Sequence, residues 1–234
     1  CMTVSHNEEL RRTKKKALFG TNIVSNYTML PEHSRWFIKY FSNEGDLVCD
    51  NTCGRGTNLL AAAYERRRIT GFDLNKNNLD CIREALTDHI GLSEVDFKLF
   101  HSCGVEMVEY AEREEIFDLF INDIPYILSA EKYNDDPRDL GNIRNLDQFY
   151  SKVEVMMTNM KRLVKKSDYD KGIFKPIIMK VGSQRRGDKG LIDMATDIEM
   201  IARKIGLTLH DKIFNELRPS MLSLIHISEP TRLV

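Results

Sequence analysis

The chain has 234 residues, of which 42% are hydrophobic, so it carries enough apolar side chains for a substantial core. This composition excludes an intrinsically disordered chain, a collagen-like chain and a small disulfide-stapled protein. Lys and Arg number 34 against 35 Asp and Glu, a formal net charge of -1. That balance excludes a histone-like polycation but allows a local basic groove.

Cysteine usage and the absence of long apolar runs predict a cytoplasmic protein. The five cysteines include no Cys-x-x-Cys pair, so we expect reduced, mostly buried thiols and no metal site. No signal peptide and no membrane span is expected. Residues 1–20 are expected to form a basic arm, either solvated or in contact with nucleic acid, and residues 21–223 a single domain. Residues 224–234 resemble the read-through tails of metagenomic reading frames and are expected to be non-native; the alternative is a genuine terminal strand.

Hydrophobic periodicity predicts alternating helices and strands from residue 31 onward. The first is an amphipathic helix over residues 31–41, whose aromatic face (Trp36, Phe37, Tyr40 and Phe41) we expect to lie in the core. The predicted strands span residues 47–50, 69–73, 95–100, 117–123, 176–181 and 207–217. The predicted helices between them span residues 57–65, 76–88, 105–113, 146–164 and 192–205. This alternation predicts an α/β, Rossmann-like domain, with a mostly parallel central sheet and helices on both faces.

An acid and a glycine turn follow the first predicted strand. Asp50 ends the strand, Gly54 and Gly56 let the backbone approach a ligand closely, and Asp73 ends the next strand, where it can accept both ribose hydroxyls of a nucleoside. Leu59 stands where a dinucleotide fingerprint has its third glycine. Asp50 would repel a pyrophosphate but suits a cation, so the pattern favours S-adenosylmethionine (SAM) over NAD. An ordinary strand-turn-helix joint is the alternative.

A second candidate site is the segment Asn-Asp-Ile-Pro-Tyr at residues 122–126, directly after a buried strand. Ligands of open α/β sheets bind outside the carboxyl ends of the strands. Asp123 can accept a hydrogen bond from an exocyclic amino group, and Tyr126 can stack on a flat ring. A simple strand-ending turn is the alternative.

Three segments together resemble the amino-methylating DNA methyltransferases, which make N6-methyladenine or N4-methylcytosine. The segments are residues 50–57 (Asp-Asn-Thr-Cys-Gly-Arg-Gly-Thr), 71–75 (Gly-Phe-Asp-Leu-Asn) and 123–126 (Asp-Ile-Pro-Tyr). The resemblance extends over residues 22–215 and includes residues 133–142 and 179–186. It implies the fold of SAM-dependent methyltransferases and a setting in phage or bacterial DNA modification.

The resemblance implies a role for each residue of these motifs. SAM would be held by Asp50, Thr52, Gly54, Gly56, Thr57, Asp73 and Leu74. The flipped target base would be held by Asp123, Pro125 and Tyr126, with N6 of adenine favoured over N4 of cytosine. The chain departs from the family pattern at Asn51, Thr52, Ile124 and Cys103, which allows a diverged substrate or a weakened enzyme.

Contacts to DNA would come from basic residues near the pocket. Arg185, Arg186 and Lys189 are predicted in a loop after a strand, on the ligand edge of the sheet. Residues 66–68, three consecutive arginines, are predicted as solvated surface on the far edge. The acidic stretch 127–145 is a lid, a loop that clamps the base, or a plain surface loop.

Other functions stay open on the sequence alone. An RNA or protein-glutamine N-methyltransferase shares the same two sites. A degenerate module that binds SAM or nucleic acid without turnover is a second alternative. A dehydrogenase is disfavoured by Leu59 and Asp50.

Overall fold

The computed structural model describes residues 31–93, 95–111, 113–125, 134–186 and 190–213. Its centre is a five-stranded sheet, parallel throughout, in the order β3-β2-β1-β4-β5. These strands are β1 (Leu47–Asp50), β2 (Arg68–Asp73), β3 (Phe97–His101), β4 (Leu119–Asp123) and β5 (Ile177–Lys180). The predicted α/β class with a parallel, Rossmann-like sheet is confirmed.

Helices connect the strands and begin with side-chain caps at two places. They are α1 (Pro31–Phe41), α2 (Thr57–Tyr64), α3 (Lys76–Glu84), α4 (Leu146–Leu163) and α5 (Met194–Lys204). The Asn75 side chain accepts from backbone N–H groups at the start of α3, and the Asn145 side chain accepts from Gln148 N at the start of α4. Two predicted helices are altered, because α3 continues as a π-helix over Ala85–Ile90 and the segment Gly104–Tyr110 is a 3-10 helix.

Two hydrophobic clusters cover the two faces of the sheet. Val48, Leu119 and Ile121 pack with α2 on one face. Cys49 and Phe120 pack with α4 on the other face, in a group that we call the α4-side cluster. Because both faces are buried, the central strands are apolar along most of their length, and polar residues are concentrated at their carboxyl ends.

The order of the strands places a topological switch point between β1 and β4. The chain proceeds from β1 outward to β2 and β3, and then returns to the other side of β1 for β4 and β5. The connections that leave β1 and β4 therefore diverge, which leaves a crevice at the carboxyl ends of these two strands. Asp50 ends β1 and Asp123 ends β4.

An ion network ties the sheet together at its opposite edge. The Asp118 carboxylate is 3% exposed, accepts from Leu47 N at 2.8 Å and pairs with the ammonium groups of Lys165 and Lys175, each at 2.8 Å. Lys175 also pairs with Asp46 at 3.2 Å. One buried carboxylate thus joins the starts of β1 and β4 to the segment that precedes β5.

The aromatic face of α1 lies only partly in the core, where the sequence predicted all of it. Phe37 and Phe41 are partly buried and pack against the cluster on the α2 side of the sheet. Tyr40 is 70% exposed and stacks on Trp36 with ring centroids 5.2 Å apart. Ser34 and Ile38 are fully buried instead. Tyr40 is therefore at the surface, whereas Phe37 and Phe41 contribute to the core beside Ser34 and Ile38.

The predicted strand over residues 207–217 is wrong for the part that the structure describes. Residues 207–213 form no strand: Leu207 packs against the α4 side of the core, whereas Ile213 is half exposed. Alternating apolar residues require a partner strand before they form a ladder. An antiparallel pair that the sequence did not predict, β6 (Gln184–Arg186) with β7 (Gly190–Ile192), comes before α5.

The basic arm at residues 1–20 and the tail at residues 224–234 lie outside the described residues, so their assignment and the domain bounds stay predictions. Among the helices that the structure describes, none is long and apolar enough to cross a membrane.

Candidate functional site

The site is built first from Asp50 and the turn that follows it. Asp50 is 1% exposed; its Oδ1 accepts from Thr52 N at 3.1 Å and its Oδ2 accepts from Asn58 Nδ2 at 2.9 Å. Asn58 Oδ1 in turn accepts from Ser34 Oγ at 2.8 Å. Asp50 therefore shapes the turn from inside, and this buried chain of hydrogen bonds connects the turn to α1.

Burial changes the acidity of Asp50. Removal from water raises the pKa of this carboxyl from 3.8 to about 7, and the hydrogen bonds from Asn58 and Thr52 oppose the rise only in part. The charges of Asp123 and Asp73 raise it further. Three carboxyl groups thus lie near one another at the same edge. Asp50 and Asp73 would attract a cation bound there, whereas Asp123 is paired with Lys180.

The two glycines of the turn differ in how much space surrounds the position of a Cβ. Both have positive φ, 51° at Gly54 and 76° at Gly56. A Cβ at Gly56 would lie 2.4 Å from Ile82 Cγ1, so this position is closed by packing between the turn and α3. A Cβ at Gly54 would meet no heavy atom of the described residues within 4 Å. Gly54 is therefore the position at which the turn leaves room for another molecule.

Asp73 lies at the end of β2 beside this turn. Its Oδ2 accepts from Gly54 N at 2.8 Å and its Oδ1 accepts from Asn75 N at 2.7 Å. Burial raises the pKa of Asp73, and these backbone hydrogen bonds oppose the rise. A carboxylate oxygen can accept more than one hydrogen bond, so Asp73 retains acceptor capacity for ribose hydroxyls.

Thr57 and Leu74 are the two other residues that the resemblance assigns to the cofactor site. Thr57 is buried as the first residue of α2. Leu74 is half-buried and packs against the α4-side cluster, and its carbonyl oxygen lies 3.0 Å from His101 Nε2. The binding of a cofactor by Thr57 and Leu74 stays a prediction.

The second motif meets the first one at the switch point. Thr52 Oγ1 donates to the Asp123 carbonyl oxygen at 3.3 Å. Asn122 Nδ2 donates to Asn51 Oδ1 at 3.0 Å, and Asn51 Nδ2 donates to Gly104 O at 3.2 Å. Direct hydrogen bonds therefore join the segment after β1, the segment after β3 and the last two residues of β4, which are far apart in sequence.

The side chains of the second motif face different surroundings. Asp123 Oδ2 accepts from Lys180 Nζ at 2.6 Å, and 25% of the Asp123 side chain is exposed. Ile124 is 2% exposed within the α4-side cluster, which accounts for an aliphatic residue at this position. Pro125 is half-buried, and Tyr126 lies outside the described residues.

The later part of the acidic stretch is a tightly bonded loop. Asp139 Oδ1 accepts from Gly141 N at 2.8 Å, and Asp139 Oδ2 accepts from Asn134 Nδ2. Leu140 and Ile143 are buried in the α4-side cluster. Cys103 Sγ contacts Arg138 O at 3.7 Å. Residues 134–143 are thus anchored in the core beside the candidate site; residues 127–133 lie outside the described residues.

The structure describes two of the three basic residues that are predicted to contact DNA. Arg185 and Arg186 belong to strand β6, opposite Leu191 and Gly190 of β7, and not to a loop. Lys189 lies outside the described residues. A contact of any of the three with DNA stays a prediction.

The three consecutive arginines at residues 66–68 also differ from one another. The Arg66 side chain is 80% exposed, as predicted for the far edge. Arg67 is 8% exposed and donates to Ser42 O at 2.5 Å, so it joins the end of α1 to the start of β2 instead of facing solvent. The arginine triplet in the sequence gave no sign of this burial.

Sequence reasoning missed three polar residues that organise the site. These are Asn58, Asn122 and Lys180. Asn58 and Asn122 come directly after or before predicted site residues, but their hydrogen bonds cross between elements. Lys180 lies inside the predicted fifth strand (residues 176–181) and ends β5 in the structure, and its pairing with Asp123 depends on strand register.

Among the described residues, no group of three or more His, Cys, Asp or Glu side chains is arranged to hold a metal ion. Cys49, Cys53 and Cys103 are buried free thiols, and burial raises the pKa of all three. They behave as small buried hydrophobic residues.

No protein-family model and no curated protein sequence matches the chain. Similar solved structures include a TehB-like SAM-dependent methyltransferase from Corynebacterium glutamicum, with TM-score 0.48, 14% identity, and coverage of 87% of this chain and 83% of that one. A precorrin 8w decarboxylase from Methanobacterium thermoautotrophicum has TM-score 0.46 and 17% identity over 74% of this chain and 71% of that one. An rRNA methylase from Streptococcus thermophilus has TM-score 0.37 and 20% identity over 53% of this chain and 65% of that one.

Proposed function

We propose that this protein is a SAM-dependent methyltransferase that methylates an exocyclic amino group of a nucleic-acid base, with DNA as the substrate and adenine favoured over cytosine. The observation that carries the proposal is the direct contact between the glycine turn and the Asp123 segment, from Thr52 Oγ1 to Asp123 O at 3.3 Å. A cofactor at the turn and an amino group at Asp123 would be neighbours. The preference for adenine comes from the resemblance of residues 123–126 to the family motif.

The residues present suit SAM as the cofactor. Gly54 leaves open space at the turn, and Asp73 can accept hydrogen bonds from ribose hydroxyls. The acidic surroundings of Asp50 and Asp73 favour the positive charge that SAM carries. When bound, SAM supplies a methyl group on a sulfonium, and the sulfur keeps the bonding electron pair when the methyl leaves.

Asp123 would then act on the substrate by hydrogen bonding. Its carboxylate accepts an N–H of the amino group, which orients the nitrogen lone pair toward the methyl carbon. The nitrogen uses that lone pair to form the new N–C bond and becomes positively charged. It returns to neutrality by releasing one N–H proton to solvent water. No covalent bond to the protein forms, so none of the buried thiols takes part.

The base has to leave its helical stack to reach this crevice. Enzymes that act on the amino groups of bases extrude the nucleotide into a pocket and pay a few kcal/mol of unstacking energy. Pro125 and Tyr126 would line the pocket for the base, and Arg185, Arg186 and Lys189 would neutralise phosphates at its rim. Loss of these basic residues is expected to weaken binding uniformly across sequences.

The test is transfer of labelled methyl from SAM to duplex DNA, single-stranded DNA and RNA, with mass spectrometry of the released nucleosides. We expect N6-methyladenine in DNA from the wild type. The Asp123→Ala variant is expected to lose at least about a hundredfold in rate, because a positioning hydrogen bond to the reacting group is lost, while SAM binding measured by calorimetry is retained.

Asp211→Ala serves as the matched control, because that carboxylate is 56% exposed and pairs with His210. Methylated RNA with unmodified DNA would replace DNA by RNA as the substrate. SAM binding with no product on any nucleic acid would refute the proposed reaction. Unchanged turnover in Asp123→Ala would refute the role of Asp123.

A further inference from the structure

Lys180 is a charged residue at the candidate site that the proposed reaction has not yet used. It ends β5 and stands in register with Asp123 at the end of β4. Paired residues of neighbouring strands project to the same face of a sheet, so the two side chains meet directly. Lys180 Nζ lies 2.6 Å from Asp123 Oδ2, and the two side chains are 29% and 25% exposed.

The ion pair with Lys180 restricts the orientation of the Asp123 carboxyl group. Its Oδ2 is engaged by Lys180 in a short, charge-assisted hydrogen bond. The second oxygen, Oδ1, belongs to the same rigid carboxylate plane, so its direction is set once Oδ2 is held. A carboxylate without such a partner would rotate about its Cβ–Cγ bond.

We propose that Lys180 is a positioning residue that holds Asp123 Oδ2 and thereby presents Oδ1 to the amino group of the substrate. This inference rests on the proposed function and specifies its chemistry. Lys180 acts through Asp123 and makes no contact with the reacting nitrogen.

Charges around Asp123 support this role. Burial raises the pKa of Asp123, and the charge and hydrogen bond of Lys180 lower it. The charge of Asp123 in turn raises the pKa of the Asp50 carboxyl at the end of β1. Lys180 thus opposes the protonation of Asp123 that burial favours. A protonated Asp123 would have one oxygen fewer to accept an N–H.

The pair also restricts the class of substrate. Lys180 and Asp123 together carry no net charge, so they offer little attraction to an aliphatic ammonium, which Lys180 would repel. A neutral planar amino group needs only the hydrogen-bond acceptor. The geometry therefore favours the exocyclic amine of a base over an alkylamine, and we expect methyl transfer to adenine-containing oligonucleotides and none to spermidine.

The first experiment measures Asp123 directly and needs no substrate. The carboxyl carbon of Asp123 is titrated by NMR in protein labelled with 13C-aspartate, with Asp123→Asn used to assign the signal. In Lys180→Met we expect the Asp123 pKa to rise by about one pH unit or more, since the neighbouring charge is lost. Lys180→Arg and the surface control Lys171→Met are expected to leave it near the wild-type value. An unchanged Asp123 pKa in Lys180→Met would overturn the inference.

The second experiment follows methyl transfer against pH. Lys180→Met is expected to lose about tenfold or more in rate at pH 6 and to recover only part of that loss as the pH rises, because Asp123 ionises again but its Oδ2 is no longer held. SAM affinity and thermal stability should stay close to wild type. Lys180→Arg should retain most of the rate. Full recovery of the wild-type rate at high pH, or no loss at pH 6, would overturn the inference, because either result would show that Asp123 acts without being held by Lys180. If the wild type methylates no nucleic acid, the proposed function fails, and the NMR titration still decides whether Lys180 controls Asp123.

Discussion

At the residue scale, Asp50 is a carboxyl group that the fold removes almost completely from water. Its folded-state pKa of about 7 lies above the ordinary value of 3.8, so the folded protein binds a proton that the unfolded chain releases. The corresponding stability is fully present below about pH 4 and is lost as the pH rises through 7. The size of this effect is at most about 4 kcal/mol.

Asp50→Asn is therefore expected to flatten the pH dependence of stability. The amide resembles the protonated acid, still accepts from Thr52 N, and can donate to Asn58 if that amide rotates and the Ser34 hydroxyl reverses. Urea unfolding at pH 5 and pH 8 measures the outcome. Wild type should lose free energy of unfolding relative to the variant between these pH values. A constant difference would show that Asp50 does not titrate in this range.

Comparing alanine variants of Gly54 and Gly45 separates the effect of backbone strain from the effect of blocking a ligand. Gly54→Ala and Gly45→Ala both place a Cβ at positive φ, where no described heavy atom lies within 4 Å. Each substitution is expected to lower the free energy of unfolding by about 1 kcal/mol. We expect only Gly54→Ala to weaken SAM binding, by about tenfold, measured by calorimetry. Equal SAM affinity in both variants would remove Gly54 from the cofactor site.

At the element scale, the amino ends of the central strands depend on Asp118. This buried carboxylate holds Leu47 N of β1 and the ammonium groups of Lys165 and Lys175. Asp118→Asn removes the 2.8 Å charge partner of Lys175, which is 14% exposed and keeps only the longer pair with Asp46 at 3.2 Å, so we expect a loss of about 3 kcal/mol in urea unfolding at pH 7.

The Asp118 pKa is lowered in the folded state, despite burial, by the Leu47 N–H and the two lysines. Its contribution to stability is therefore present above the ordinary pKa and is lost as the pH falls through the folded value, so the difference between variant and wild type should shrink in acid. Asp168→Asn is the control, because the Asp168–Lys171 pair is largely exposed and is expected to contribute less than about 1 kcal/mol. Equal losses in the two variants would contradict the importance of burial.

At the scale of the whole molecule, cofactor binding should stabilise the fold. A ligand that binds only the folded state at a hundred times its Kd adds about 2.7 kcal/mol to the free energy of unfolding. Because the two hydrophobic clusters share one sheet, we expect a single thermal transition that SAM shifts upward and NAD does not. Scanning calorimetry checks this result. A shift with NAD alone would favour the dehydrogenase that the sequence disfavours.

The sequence predicted the location of the site from the acidic residues that end three of the predicted strands. Asp50, Asp73 and Asp123 each end a predicted strand, and the structure places each of them at the end of β1, β2 and β4. Those positions follow from local patterns, since apolar runs that stop at an acid are visible along the chain. The Asn51–Asn122 hydrogen bond and the Lys180–Asp123 pair are not visible in this way, because they join residues 71 and 57 positions apart.

What the sequence by itself determined is the class of fold, five of its strands and the edge at which chemistry is expected, because periodicity and strand-ending acids are local properties. Tertiary structure alone decided which strands are neighbours, that Asp50 faces inward, that Lys180 pairs with Asp123, and that Tyr40 of α1 stays at the surface. Strand order and side-chain burial are set by the packing of segments distant in sequence. The predicted strand at 207–217 was wrong for the same reason, since its alternating pattern found no partner strand among the described residues.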